Sequence, residues 1–247
     1  MKILVAISNV PDTTTKIQFT EGGAKFNPAG VTFIINPYDE WYALVRALEL
    51  KEANLAEKIT LIHVGLADSD ATIRKGLALG ADDAVRVDAE GPDALFVAEE
   101  IANYAKANGY DLILTGKETI SYNGASVGGM VAGLMDLPFV SMATTLEVAG
   151  SITTVSQDID GGSQIVECAL PLVISCAKGM AEQRIPNMRG IMAARTKPLT
   201  VVASTASAST TTVKSFTLSP GRTTCKMISE DNIDELVHLL HTEAKVI

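Results

Sequence analysis

Apolar positions along the chain switch between two periods. Residues 2–8 form a mostly apolar run, which predicts a strand buried on both faces. Residues 9–35 carry no clear period and include Gly22, Gly23 and Pro28, so they read as a short hairpin or loop. Trp41, Leu44, Val45 and Leu48 then recur at helical spacing, to about Asn54. In front of them Asn36 is placed to cap that helix, Pro37 to take its first position, and Asp39 and Glu40 to sit in its first turn. Ile59–Val64 predicts a second strand. A helix carrying Ile73 and Leu77 follows, capped by Asp68 or Ser69 and ended at Gly80. Ala84–Val87 is a short strand. Pro92 opens a helix with Leu95, Ala98, Ile101, Ala102 and Ala105, stopped by Asn108-Gly109. Leu112–Thr115 is the next strand, 116–127 a loop, and a small-residue helix runs on to about Leu137.

Strands alternating with helices predict βαβ units: a parallel sheet with helices on both faces, Rossmann-like in class. Such sheets bind ligands at the carboxyl ends of their strands. After Pro138 the pattern changes. Val140–Val148 and Ile152–Asp158 flank Ala149-Gly150-Ser151, a hairpin signal, and Asp160-Gly161-Gly162 is a second turn before Ile165–Ala169 and Leu172–Ser175. Residues 203–212, ASTASASTTT, hold too little apolar surface for a core and read as a linker. Glu230–Ala244 reads as an amphipathic helix with Ile233, Leu236, Val237 and Leu240, either an arm on a partner or a helix folded onto its own domain. The expected organisation is an α/β domain over 1–200, and a linker with a helical arm over 201–247.

Composition narrows the function. The chain has 247 residues, 47% hydrophobic and 20% charged, with a net charge of −9. That balance argues against a general binder of nucleic acid or of anionic membrane, which needs clustered cations. Only Arg184, Arg189, Arg195 and Lys197 form a basic concentration, so an anion bound elsewhere must rely on backbone N–H groups. Cys168, Cys176 and Cys225 make no CxxC pair, which argues against a zinc site or a disulfide framework and for a reducing cytosol. The opening MKILVAISNV is too short for a signal core and no run reaches membrane-span length, so a cytoplasmic protein without membrane insertion is expected.

Acid–base chemistry is poorly represented. His63 lies within a predicted strand, and His238 and His241 lie one turn apart on the terminal helix without a third ligand at useful spacing. Gly124-x-Ser126-x-Gly128 matches a nucleophile elbow by letter, but it stands well after the strand that would have to precede it. The stretch from Gly116 to Gly129, GKETISYNGASVGG, is the better candidate: glycines admit backbone N–H groups to an anion, and a helix N-terminus follows. The alternative is a loop rich in glycine only because turns require it. From Cys176 to Leu199 the chain holds five Arg or Lys and three Met without periodicity, as either a docking surface for an acidic partner or a solvated connection.

Four segments carry a family resemblance: KILVAISNVPDTTTKI from Lys2, IINPYDE from Ile34 with ALELKE from Ala47, TIRKGLALGAD from Thr72, and RIPNMRGIMAARTKP from Arg184. In order and spacing they resemble the β subunits of electron transfer flavoproteins. The resemblance implies an electron carrier rather than an enzyme, paired with an α subunit that holds most of an FAD at the shared interface. It further implies AMP in the β subunit, or a second FAD in electron-bifurcating members. The nucleotide positions carried over are Ala6, Asn36, Pro37, Tyr38, Asp39 and Val64, with the whole run Gly116, Lys117, Glu118, Thr119, Ile120, Ser121, Tyr122, Asn123, Gly124, Ala125, Ser126 and Val127. The loop departs from the family at Ser121 and Tyr122, where an Asp and further polar residues are usual. Val127 leans to the bifurcating pattern and Gly129-Met130 to the AMP pattern, so the ligand stays open; a flavin would need an apolar slot, with Tyr38 as its wall. Segment 184–198 resembles the loop that docks on acyl-CoA dehydrogenases of fatty acid β-oxidation. That implies a docking role for Arg184, Ile185, Pro186, Met188, Arg189 and Ile191, with Met188 in the place of the usual Leu anchor. A stand-alone adenine-nucleotide module of the universal stress protein type is the alternative, but Gly128 is followed by Gly129 instead of Ser or Thr, and such a module leaves 140–247 unexplained.

Overall fold

A computed structural model describes residues 1–91, 93–221 and 225–247. In chain order the strands and α-helices are β1 (Lys2–Ala6), β2 (Asn9–Pro11), β3 (Phe19–Thr20), β4 (Lys25–Phe26), β5 (Phe33–Ile35), α1 (Asp39–Glu52), β6 (Lys58–Val64), α2 (Asp70–Leu79), β7 (Asp83–Asp88) and α3 (Ala94–Asn108). They continue with β8 (Leu112–Gly116), α4 (Val127–Met135), β9 (Phe139–Ala149), β10 (Ile152–Ile159), β11 (Gly162–Ala169), β12 (Leu172–Cys176), α5 (Met188–Ala194), β13 (Leu199–Ala203) and α6 (Ile233–Leu239). The residues form two compact units: Met1–Lys16 with Pro28–Lys214, and Ile17–Asn27 with Ser215–Ile247.

The first unit is built on a nine-stranded sheet, among the described residues, in the order β11-β10-β9-β12-β8-β1-β6-β7-β13. Every neighbouring pair from β9 to β13 is parallel, and β9, β10 and β11 form an antiparallel meander. Side chains alternate across each strand, so a parallel strand covered on both faces must be apolar throughout. Ile3, Val5, Leu61, Leu112 and Leu114 bury on the face covered by Leu44, Leu48, Ile73 and Leu77 of α1 and α2. Leu4, Ala6, Ile62, Ile113 and Val173 bury on the opposite face, under Ile101 and Ala102 of α3 and Val131 of α4. This is the expected α/β class, with helices on both faces of a mostly parallel sheet.

Several local expectations are corrected. Asn36 does not cap α1. The cap position is Tyr38, at φ +69°, and Pro37 lies in the turn before it. A proline at the first helical position contributes only a fixed φ, whereas the Asn36 amide finds stronger use bonding a distant loop. Ser69 makes no side-chain cap on α2; its Oγ donates to the Leu66 carbonyl at 2.6 Å in a short 3₁₀ turn. Pro92 lies outside the described residues, and α3 is capped by Asp93, whose carboxylate accepts from the Phe96 amide at 2.8 Å. The unpatterned stretch after Cys176 contains α5, capped by Asn187. Leu199–Ala203, at the end of the expected α/β domain, pairs in parallel with β7. The Ser/Thr/Ala tract that follows is laced to α3 by hydrogen bonds instead of hanging free.

In the second unit, β3 and β4 pair as a small hairpin. Phe216 stacks on Phe19 with centroids 4.9 Å apart and donates its amide to the Gly23 carbonyl at 2.7 Å. The expected terminal helix is α6 followed by a π-helical turn over Leu240–Ala244. Among the described residues no helix is long and apolar enough to cross a membrane.

Candidate functional site

The chain leaves β1 toward β6 and β7 and returns on the other side of β1 at β8. Helices on opposite faces diverge at such a reversal, which opens a crevice beyond the strand ends. Here it is a cleft of about 470 Å³. Its floor is Ala6–Val10 after β1, His63 and Val64 of β6, and Thr115 and Gly116 of β8. One wall is Lys117–Thr119, Ser121, Tyr122 and Gly124–Val127. Gly91, Asp93, Ala94 and Val97 at the start of α3 form another, with Thr211 and Val213 beside them.

The loop from β8 to α4 is shaped by space and by distant side chains. A Cβ on Gly116 would stand 2.7 Å from Glu40 Cγ and 3.0 Å from the Glu40 backbone nitrogen, so the strand end meets the start of α1 only as glycine. A Cβ on Gly128 would stand 2.6 Å from Thr115 Oγ1, which allows α4 to begin directly against β8. Asn36 clasps the loop with both ends of its amide: Oδ1 accepts from the Ile120 amide at 2.8 Å, and Nδ2 donates to the Glu118 carbonyl at 2.9 Å. The Glu118 amide donates to Asp39 at 3.3 Å. Asn123 and Ala125 hold φ of +49° and +47°. A side chain there costs roughly 1–2 kcal/mol, most clearly at Ala125, and such strain concentrates at ligand sites. The first amides of α4, which have no acceptor within the helix, open beside this loop.

Charge in the cleft is muted. Glu40 is buried, and burial pushes its carboxyl up to about 8, against hydrogen bonds from the Ser8 amide at 2.5 Å and the Ser8 hydroxyl at 2.7 Å. Burial also raises Asp39, opposed by Lys117. Lys117 pairs with Glu118 at 3.0 Å. His63 is buried with Nδ1 at 2.8 Å from the Ile7 carbonyl, and burial lowers its pKa, so the neutral ring lines the cleft. A protonated Glu40 and a paired Glu118 spare an incoming phosphate two opposing charges. The glycine-limited approach, the strained loop and the helix start therefore fit a phosphate held by main-chain amides.

Of the residues named from the sequence, Ala6, Val64, Gly116, Lys117, Glu118, Thr119, Ser121, Tyr122, Gly124, Ala125, Ser126 and Val127 line this cleft. Asn36 and Asp39 brace the loop from behind. Pro37, Tyr38, Ile120 and Asn123 are not among its walls. Tyr38 is 57% exposed and faces Tyr42 with ring centroids 6.5 Å apart, so it walls no apolar slot there. Ser8, His63, Ala94, Thr211 and Val213 were not foreseen. Ser8 was within reach of the rule that strand ends carry sites; Thr211 and Val213 carry no local signal.

The segment named for docking lies elsewhere on the first unit. Its backbone is pinned from below. Trp41 Nε1 donates to the Arg184 carbonyl at 3.1 Å, Arg74 donates to the Ala194 and Lys197 carbonyls at 2.8 and 2.6 Å, and Gly190 lies against the Ala78 carbonyl. Arg184 forks onto Glu52 at 2.6 and 3.0 Å, and Lys197 caps α2 through the Leu77 and Ala81 carbonyls. Half of the basic concentration expected there, Arg184 and Lys197, is therefore consumed internally, while Arg189 and Arg195 are exposed. Beside them stand exposed apolar side chains: Ile185 is 86% exposed, Met188 74%, Met192 56% and Ile191 41%.

The chain is similar to known proteins over most of its length. The electron transfer flavoprotein domain matches residues 24–207. The chain is 36% identical to the electron transfer flavoprotein subunit beta of Syntrophomonas wolfei over 223 residues, covering 90% of this chain and 87% of that protein. It is 32% identical to the Bacillus subtilis subunit beta, with both chains fully covered, and 31% identical to the human one, covering 82% of this chain and 81% of the relative.

Proposed function

The chain belongs to the electron transfer flavoprotein family as a β-type subunit, and from that premise we propose that its cleft grips an adenine nucleotide while the chain works as half of a redox carrier. The partner is an α-type subunit, with an FAD held at the shared interface. The observation that carries the nucleotide reading is the loop 116–128, glycine at both points where a Cβ would collide and clasped by Asn36. Main-chain amides at the loop and the start of α4 hold the phosphate. Val10, Val64 and Val97 offer apolar surface to a base, and neutral Glu40 keeps repulsion low. AMP is favoured over a second FAD, because the ring that was to wall a flavin slot, Tyr38, stands outside the cleft.

A bound flavin supplies the electron-carrying ring system. The residues of this chain bind, shield and dock. The apolar side chains of α5 and the turn before it, Ile185, Met188 and Ile191, offer a surface for a flavin-dependent dehydrogenase of the acyl-CoA type. The test is co-purification with the α-type subunit, followed by flavin-to-protein stoichiometry and chromatography of the released nucleotide. One flavin and one AMP per heterodimer is the expected result. Two flavins would move the reading to a bifurcating type, and an empty cleft would overturn it.

A further inference from the structure

One segment of the cleft is assembled in an unusual way. Residues 204–211 run back along α3 and are moored to it at three carboxylates, one of them Glu99, which accepts from the Ser207 amide at 2.8 Å. Glu100, 2% exposed, accepts from the Thr205 and Ala206 amides at 2.8 and 2.9 Å and from the Ser204 hydroxyl. Two helical turns earlier, Asp93 divides its oxygens between two tasks. Oδ1 accepts from the Phe96 amide at 2.8 Å and caps α3. Oδ2 accepts from the Ser209 hydroxyl at 2.6 Å and from the Thr210 and Thr211 amides at 3.0 and 3.1 Å. Beyond this mooring, Thr211 and Val213 stand in the cleft wall.

These contacts differ in kind from those of the loop 116–128. The loop is bounded by strand and helix and clasped by the buried Asn36 amide, so it is anchored in the core. The strap crosses α3 with side-chain carboxylates as its fasteners, and a fastener can open without disturbing the sheet. The Glu100 end is buried, whereas the Thr210 and Thr211 bonds to Asp93 are exposed, and segments held by exposed hydrogen bonds are the ones that open locally. We propose that residues 204–213 are the opening wall of the nucleotide cleft, and that Asp93 is the positioning residue that sets how long a bound adenine nucleotide is retained. The inference rests on the nucleotide reading of the cleft and adds to it the route of entry and release.

Asp93→Asn tests it cleanly. The asparagine carbonyl can still cap α3, but its NH₂ replaces the acceptor that the strap needs, and two backbone donors and a hydroxyl then face a donor. The measurement uses the full chain in complex with its α-type subunit, loaded with radiolabelled AMP and chased with unlabelled AMP, with hydrogen exchange followed over 204–213. The expected result is AMP release faster by about tenfold or more, matched by faster exchange in the strap, while the association rate and the melting of the sheet change little. Asp93→Glu, which keeps the acceptor, should recover part of the slow release. Unchanged release from a variant whose strap exchanges freely would overturn the strap and leave the cleft reading intact. Failure of the wild-type complex to bind AMP or flavin in the cleft would overturn both.

Discussion

The cleft and the docking segment are built by opposite rules. In the cleft, side chains and glycines are chosen for what must be excluded, and polar groups are satisfied from within: Asn36 to the loop, Ser8 to Glu40. In the docking segment, the backbone is satisfied from beneath by Trp41 and Arg74, and the apolar side chains are turned outward. A substitution at the floor or the glycine loop of the cleft should therefore cost folding and ligand together, while a substitution on the outer face of α5 should cost a partner and little else.

Gly116→Val should give the largest effect on the bound nucleotide. Its added carbons collide with Glu40 and Asp39 at the start of α1, where overpacking costs about 3 kcal/mol. Urea melts should show that loss, and the purified complex should lack nucleotide. A stable, nucleotide-loaded variant would break the comparison at its strongest point. Glu40→Gln comes next and acts through pH. The native carboxyl titrates at about 8 against an ordinary 4.5, so as pH rises through this window the unfolded chain gives up its proton while the native one keeps it. Wild-type stability should then fall relative to the variant by about 1.4 kcal/mol per pH step within the window, and level off above 8. Parallel stability profiles for the two proteins would sink that account.

Gly190→Ala probes the underside of the docking segment. Its Cβ would lie 2.2 Å from the Ala78 carbonyl, so α5 must lift from α2, with an expected loss of roughly 1–2 kcal/mol and weaker docking. Met188→Ala, on the outer face of the same helix, should change stability by less than about 0.5 kcal/mol. It should slow electron transfer from the dehydrogenase in stopped-flow mixing and leave nucleotide content unchanged. Equal transfer rates in the two proteins would remove Met188 from the docking surface.

The parallel sheet was legible because burial on both faces forces unbroken apolar runs, as at Ile3–Val5 and Leu112–Leu114. The loop 116–127 was legible because close backbone approach demands glycine. Within 9–35 the pattern left only a choice between a short hairpin and a loop, and did not show the antiparallel pairing of β2 with β5, since strands of three residues carry no period. Helix α5 was hidden for a similar reason: it is seven residues long and apolar side chains stand on its outer face as well, so polar and apolar positions fail to alternate around it. Asn36 was misread because Asn before Pro-x-Asp is a good local cap, and a local rule cannot see an acceptor 82 positions away at Glu118.

By itself the sequence determined the longer strands and helices and where the chain tightens on glycine, because those depend on neighbours within a turn or two, and it showed the family through four segments matching in order and spacing. Only the tertiary structure decided that Asn36 clasps the cleft loop, that Glu100 and Asp93 moor a Ser/Thr tract, and that Lys197 turns inward to cap α2. Those outcomes depend on which donors and acceptors are brought within about 3 Å across a hundred or so residues, and such distances exist only once the sheet has ordered the strands.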